Sequence, residues 1–228
     1  MARIHRQDAL DLLRRAVAPG VVVYAVIIGL GFLITGPHIE LDRREDRWSS
    51  GFNRNRSEVW NGITDVWSRF GNTEYVIGVC MLVAVILLWR TRRLPLALAP
   101  VLAISLQATI FVLAAWTVGR QRPPAIPMDA SPPTSSYPSG HVGASTALYV
   151  VFALLAQRIE RAWLRWVVTV LCLVVPLLVA YARLYRGAHH LSDVVVGLLN
   201  GLVCALLAYG WLRHVEKRHE RSALRSRA

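Results

Sequence analysis

Three short groups of residues hold the types and spacings that can do chemistry. The first is Arg120 and Arg122 in GRQRPP, the second is Ser139, Gly140 and His141 in YPSGH, and the third is Arg183, Arg186, His189, His190 and Asp193 in ARLYRGAHHLSD. Several arginines without matching acids suit a multiply charged oxyanion, and the guanidinium fork fits phosphate. A helix that starts at PSGH aims backbone N–H groups outward and favours an anion, and Gly140 lets the backbone come close. One imidazole can attack phosphorus while another donates a proton to the leaving oxygen. A carboxylate can hold the attacking ring in one tautomer. His189, His190 and Asp193 also resemble a two-histidine, one-carboxylate metal set. Adjacent histidines point about 100° apart on a helix, however, so both ligate only from a loop, and the arginines repel a cation.

The elements that must position these groups are apolar. The chain has 228 residues, of which 54% are hydrophobic and 18% charged, against about 25% charged in an ordinary soluble domain. Six apolar runs approach membrane-spanning length: about Ala16–Gly36, Tyr75–Trp89, Leu94–Val118, Val142–Gln157, Leu164–Tyr181 and Val194–Leu212. Six such runs leave too little polar chain to cover a soluble core. Cys80, Cys172 and Cys204 all lie inside them as small hydrophobes.

Charge sets the orientation. With a cytoplasmic N-terminus, the inner segments hold 16 of the 26 Lys+Arg and 5 of the 14 acids, which leaves the outer loops near neutrality. This positive-inside bias predicts both termini in the cytoplasm, and it makes the net charge of +12 a membrane feature rather than a nucleic-acid one. The tail 213–228 reads as a solvated basic end, and His5, His38, His214 and His219 read as solvated side chains. All three chemical groups then fall on the extracytoplasmic side, although their chemistry played no part in setting the topology.

The first outer loop runs from about Pro37 to Glu74. Within it Val59, Trp60, Ile63, Val66, Trp67 and Phe70 recur at helical spacing. That amphipathic helix either lies on the outer leaflet, guiding a lipid sideways, or packs as a cover on the other helices. The second loop, Gly119–Gly140, is too rich in proline for a helix. The third spans about Ala182–His190.

The three groups resemble the signature motifs of the type 2 phosphatidic acid phosphatase superfamily, membrane lipid phosphatases whose site is similar to that of vanadium haloperoxidases. The family pattern is Lys-x6-Arg-Pro, Pro-Ser-Gly-His and Ser-Arg-x5-His-x3-Asp. Here it is matched by Arg122-Pro123, Pro138-Ser139-Gly140-His141 and Arg183-x5-His189-x3-Asp193. Ala115 stands where the family has lysine, and Ala182 where it has serine.

The resemblance implies an all-α integral membrane protein of six transmembrane helices. It implies one domain over 1–228, with its motif-bearing region at about 60–212. By that resemblance His189 is the nucleophile that forms a phosphohistidine, Asp193 orients it and His141 is the general acid. Arg122, Arg183, Ser139 and the Gly140 backbone cradle the phosphate. Arg120 and Arg186 lie outside the family pattern and are candidates to replace the cation lost at Ala115. The count from Arg183 selects His189 over His190, which is expected to point away and to tolerate Asn or Gln. No metal or cofactor enters this scheme. The expected activity is hydrolysis of a lipid phosphate or diphosphate at the outer face of the cell membrane. Polyprenyl diphosphate, phosphatidylglycerol phosphate and phosphatidic acid are all compatible. A phosphotransferase using the same pocket, or a weakly catalytic lipid-binding scaffold lacking the first-motif lysine, are the alternatives.

Overall fold

The computed structural model describes residues 6–36, 39–54, 56–124, 126–129 and 135–225. His5 and His38 lie outside them. Among the described residues every regular element is a helix. Five helices, Gln7–Thr35, Thr73–Thr91, Leu94–Val118, Ala162–Tyr185 and Leu191–Arg225, are long and apolar enough to cross a membrane.

The first of these is built from α1 (Arg6–Leu12), a π-helical turn (Leu13–Val17) and α2 (Ala18–Thr35). Two helices not long enough or too polar to span follow, α3 (Ile39–Arg54) and α4 (Glu58–Arg69). Then come α5 (Thr73–Thr91), α6 (Leu94–Val118), α7 (Gly140–Ala156), α8 (Ala162–Tyr185) and α9 (Leu191–Arg225). The apolar α7 has 17 residues, about 25 Å of helix, which is the short fourth run of the sequence. Breaks fall where the backbone chemistry puts them. Gly119 ends α6 in the left-handed region at φ 65°, and Gly187, at φ 71°, turns the chain after α8.

The bundle centre is the α7–α9 pair. Small residues face each other there, so the two backbones nearly touch. A Cβ on Gly201 would stand 2.4 Å from the Gly143 carbonyl oxygen, and one on Gly197 would stand 2.7 Å from the Ser139 carbonyl oxygen. This close approach carries the start of α7 to the start of α9, and with it the second motif to the third. Large apolar side chains of the surrounding helices α2 and α8 are bare, among them Val22, Phe32, Trp163, Trp166 and Leu171. In water such a surface would be a liability; in a bilayer it faces lipid.

Two helices stand between α2 and α5. The α3 helix was not foreseen. The α4 helix was, and Ser57 starts it by accepting a hydrogen bond from the Trp60 N–H at 3.4 Å. It packs on α8, where Trp60 and Trp67 meet Tyr181 with ring centroids about 6 Å apart. Its Val59, Val66 and Phe70 are exposed, whereas Thr64 and Ser68 are buried. The helix therefore turns its polar face inward over the bundle, so it is a cover whose apolar face is bare.

The basic end is not free either. The last helix runs unbroken to Arg225, and Arg218 forms ion pairs with Asp8 and Asp11 of α1. His214 and His219 lie 3.5 Å from Asp11 and 3.3 Å from Asp8, so they are paired rather than simply solvated.

Candidate active site

A cavity of about 800 Å³ opens where α4, α5, α6, α7 and α8 meet. One end is polar, with Arg122, Asp129, His141, Arg183, Arg186 and His189. The other is apolar, with Val76, Ile77, Ala108, Phe111 and Val112 from α5 and α6. An amphipathic molecule with a charged head and a hydrocarbon body fits that division.

Ser139 is the N-cap of α7, yet its side chain makes no capping bond. Its buried hydroxyl has no hydrogen-bond partner among the described residues, and the same is true of Arg122 Nε and Arg183 Nε. Buried donors are almost always paired, so three unpartnered ones around the start of α7 mark a place built for an acceptor. Arg122 also steadies the third motif by donating to the Ala188 carbonyl at 2.8 Å.

His189 is buried in the loop ahead of α9. Its Nδ1–H donates to the Ser136 carbonyl at 2.7 Å, and Asp193 lies farther off at 3.9 Å. The carbonyl sets the tautomer and leaves the lone pair on Nε2. Burial first, and then the charge of Arg183, hold this imidazole well below the usual 6.5, so it is neutral. Four positions apart, His189 and Asp193 would share a face if both were helical. The helix starts only at Leu191, and the direct partner of His189 is a backbone oxygen that no side-chain pattern reveals.

Asp193 is the centre of a different network. It is fully buried and accepts from Arg120 at 2.6 Å, from the His190 N–H at 2.9 Å and from His190 Nδ1 at 3.2 Å. Arg120 also donates to Glu45 at 2.9 Å and to the Ser192 hydroxyl at 2.7 Å, while Glu45 accepts from the Ser192 N–H at 2.7 Å. Arg120 is thus locked between two carboxylates and does not line the cavity, which removes it from the candidate phosphate ligands. His190 does not point away. It bridges Asp193 to Asp46 of α3 at 3.1 Å.

The bridge predicts a pH dependence. Burial lowers the pKa of His190, but the hydrogen bond to Asp193 and the Asp193 charge outweigh it, and Asp46 adds to them, so the value rises above 6.5. A histidine whose pKa rises on folding adds stability that is complete below its unfolded value and disappears as the pH climbs through its folded one. The thermal midpoint in detergent is therefore expected to fall as the pH is raised above 6.5, and His190→Gln is expected to flatten that fall.

The arginines were expected to lack acids, and this too is corrected. Asp129 is the sole acid between Gly119 and Gly140. It accepts from Arg183 at 2.5 Å and from Arg186 Nε at 2.7 Å. Burial raises its pKa, but the Arg186 hydrogen bond and the charges of Arg183 and Arg186 prevail and keep it ionised. Arg183 also donates to Ser68 at 3.0 Å and Arg186 to the Asn61 carbonyl at 3.1 Å, both on α4. The inward polar face of α4 is therefore a wall of the site. His141 sits at the second residue of α7 with its Nε2 3.0 Å from Asn72 Oδ1.

The family model of the PAP2 superfamily matches residues 96–217, which contain all three motifs. The chain belongs to the PAP2 superfamily. That membership makes it a lipid phosphatase, and its apolar helices make it a multi-pass membrane protein. It is 27% identical over 191 residues to an undecaprenyl-diphosphatase of Sulfolobus acidocaldarius, a match that covers 78% of this chain and 86% of that one. The fold is similar to that of the transmembrane PAP2-type phosphatidylglycerolphosphate phosphatase of Bacillus subtilis, at a TM-score of 0.75 and 18% identity over 86% of this chain and 96% of the other. It is also similar to LpxE of Aquifex aeolicus, at a TM-score of 0.55 and 19% identity over 71% and 92%. At these identities the two structures speak for a shared fold.

Proposed function

We propose that this protein hydrolyses a lipid phosphate or diphosphate through a phosphohistidine, without a metal, at the outer face of the cell membrane. The observation that carries the reading is the pair of unpartnered buried donors Arg122 Nε and Arg183 Nε, whose residues line the cavity with His141 and His189, together with the unpartnered Ser139 Oγ at the start of α7. Phosphate oxygens satisfy those donors together with the first N–H groups of α7, including that of Gly140. Arg186 reaches the same cavity and supplies the cation absent at Ala115. Asp129 holds Arg183 and Arg186 while the site is empty, and the incoming dianion displaces it.

The chemistry then follows from the rings. His189 Nε2 attacks phosphorus, and the bond to the leaving oxygen breaks with its electron pair. His141 gives that oxygen a proton. Water next attacks the phosphohistidine, His141 takes its proton, and phosphate leaves with His189 restored. The arginines stabilise the charge on the equatorial oxygens. Asp193 acts on His189 across 3.9 Å by its charge and through the loop it braces.

The topology has independent support. The ion pairs of Arg218 with Asp8 and Asp11 join the two ends of the chain at one end of the bundle, and the motif loops lie at the other. An even number of crossings is needed for that arrangement, so the 17-residue α7 counts as the sixth span. With the charge bias, both termini are cytoplasmic and the site is extracytoplasmic. The whole chain acts as one membrane domain, with the lipid tail against α5 and α6. The relatives act on different lipids, so undecaprenyl diphosphate, phosphatidylglycerol phosphate and phosphatidic acid are all candidates. Detergent-purified protein in EDTA is expected to release phosphate from at least one of the three. No turnover of any, or turnover only after a divalent metal is added, would overturn the proposal.

A further inference from the structure

The turn between α4 and α5 lies against His141. Gly71 packs so tightly there that a Cβ on it would stand 2.9 Å from the His141 carbonyl oxygen and 3.0 Å from the His141 Cβ. The next residue, Asn72, is the N-cap of α5. An asparagine in that position normally accepts a hydrogen bond from a backbone N–H two or three residues on. Ser57 does this at the start of α4, but Asn72 makes no such bond. Its Oδ1 lies instead 3.0 Å from His141 Nε2, and both side chains line the cavity. A residue that forgoes its local role while pointing into a site marks a functional constraint.

We propose that Asn72 is a positioning residue for the general acid. Its Oδ1 accepts the Nε2–H of His141, which fixes the ring and leaves Nδ1 as the nitrogen that carries the moving proton. As the imidazolium, His141 passes the Nδ1 proton to the leaving oxygen while the phosphorus–oxygen bond breaks. The neutral ring that remains is the Nε2–H tautomer that Asn72 holds, ready to take a proton from water at Nδ1. The ring is faced by Arg183 of α8 and by Arg122 and Asp129 of the α6–α7 loop, with His189, Arg186, and Asp65 and Arg69 of α4 on the same cavity. Against those charges a neutral amide orients the proton without tightening the hold of the ring on it, as a carboxylate would.

The inference rests on His141 being the acid, so the test separates the two. Release of the leaving group in a single turnover is compared for the preferred lipid and for 4-nitrophenyl phosphate, whose weakly basic leaving group departs without a proton. Asn72→Leu is expected to slow that release from the lipid by about 10- to 100-fold and from the aryl phosphate by less than about 3-fold, since only the former needs the acid in the first step. His141→Ala is expected to show the same selectivity. If His141→Ala affects both substrates alike, the acid assignment fails. If His141→Ala is selective while Asn72→Leu is either fully active or equally impaired on both, the role of Asn72 is overturned and the acid stands. Asn72→Asp places a charge beside the ring and is expected to move the high-pH limb of kcat upward by about one pH unit or more. An unmoved limb in a folded Asn72→Asp protein would also overturn the inference.

Discussion

His189→Ala is expected to reduce phosphate release by about four orders of magnitude or more, the scale on which removing a nucleophile acts. The size follows from the ring's surroundings. It is buried, neutral and held by the Ser136 carbonyl with the Nε2 lone pair free; among the described residues lining the cavity the other imidazole is His141, whose Nε2 is engaged by Asn72. The truncation removes one hydrogen bond beside an existing cavity, so elution from a sizing column and the detergent melting point are expected to stay close to wild type. Wild-type enzyme quenched during turnover of a labelled lipid is expected to carry acid-labile phosphate, and the variant none. Activity above a hundredth of wild type in His189→Ala would remove the residue from the nucleophile's role.

The second large effect falls on stability rather than on turnover. Arg120→Met leaves Asp193 and Glu45, 0% and 7% exposed at the side chain, without the guanidinium that joins them. Breaking one partner of a buried ion pair costs about 3–5 kcal/mol, so the melting point in detergent is expected to drop well below that of any variant at Arg122 or Arg186. Pairing Arg120→Met with Glu45→Gln is expected to recover part of the loss, because it removes one of the stranded charges. The molecules that stay folded are expected to keep KM within about threefold of wild type, since Arg120 touches no part of the cavity and loses no ground-state contact with substrate. A variant with wild-type melting and weakened phosphate binding would return Arg120 to the phosphate ligands.

Much of the site was legible in the sequence because its three motifs are short and their internal spacing is local. Arg183, His189 and Asp193 lie within one stretch of chain, and Pro-Ser-Gly-His is contiguous. The partners of these residues were not legible, because they come from far away. Ser136 meets His189 across 53 positions, Asn72 meets His141 across 69, and Glu45 meets Arg120 across 75. Asp129 offered the one available signal, as the single acid in a proline-rich loop flanked by arginines. The α4 helix was found from its apolar spacing, but the same spacing concealed its purpose, because the working face is the polar one.

By itself, then, the sequence determined a helical membrane chain, its apolar runs and the three motif segments with a phosphate chemistry. Hydropathy and helical period are properties of neighbours along the chain, and so is a motif. Only the tertiary structure decided which histidine bonds a carbonyl and which bonds a carboxylate, and which arginine is a strut and which faces the cavity. Those choices depend on how closely α7 approaches α9 and on where α3 and α4 lie across the site, and both follow from packing between elements that no local pattern relates.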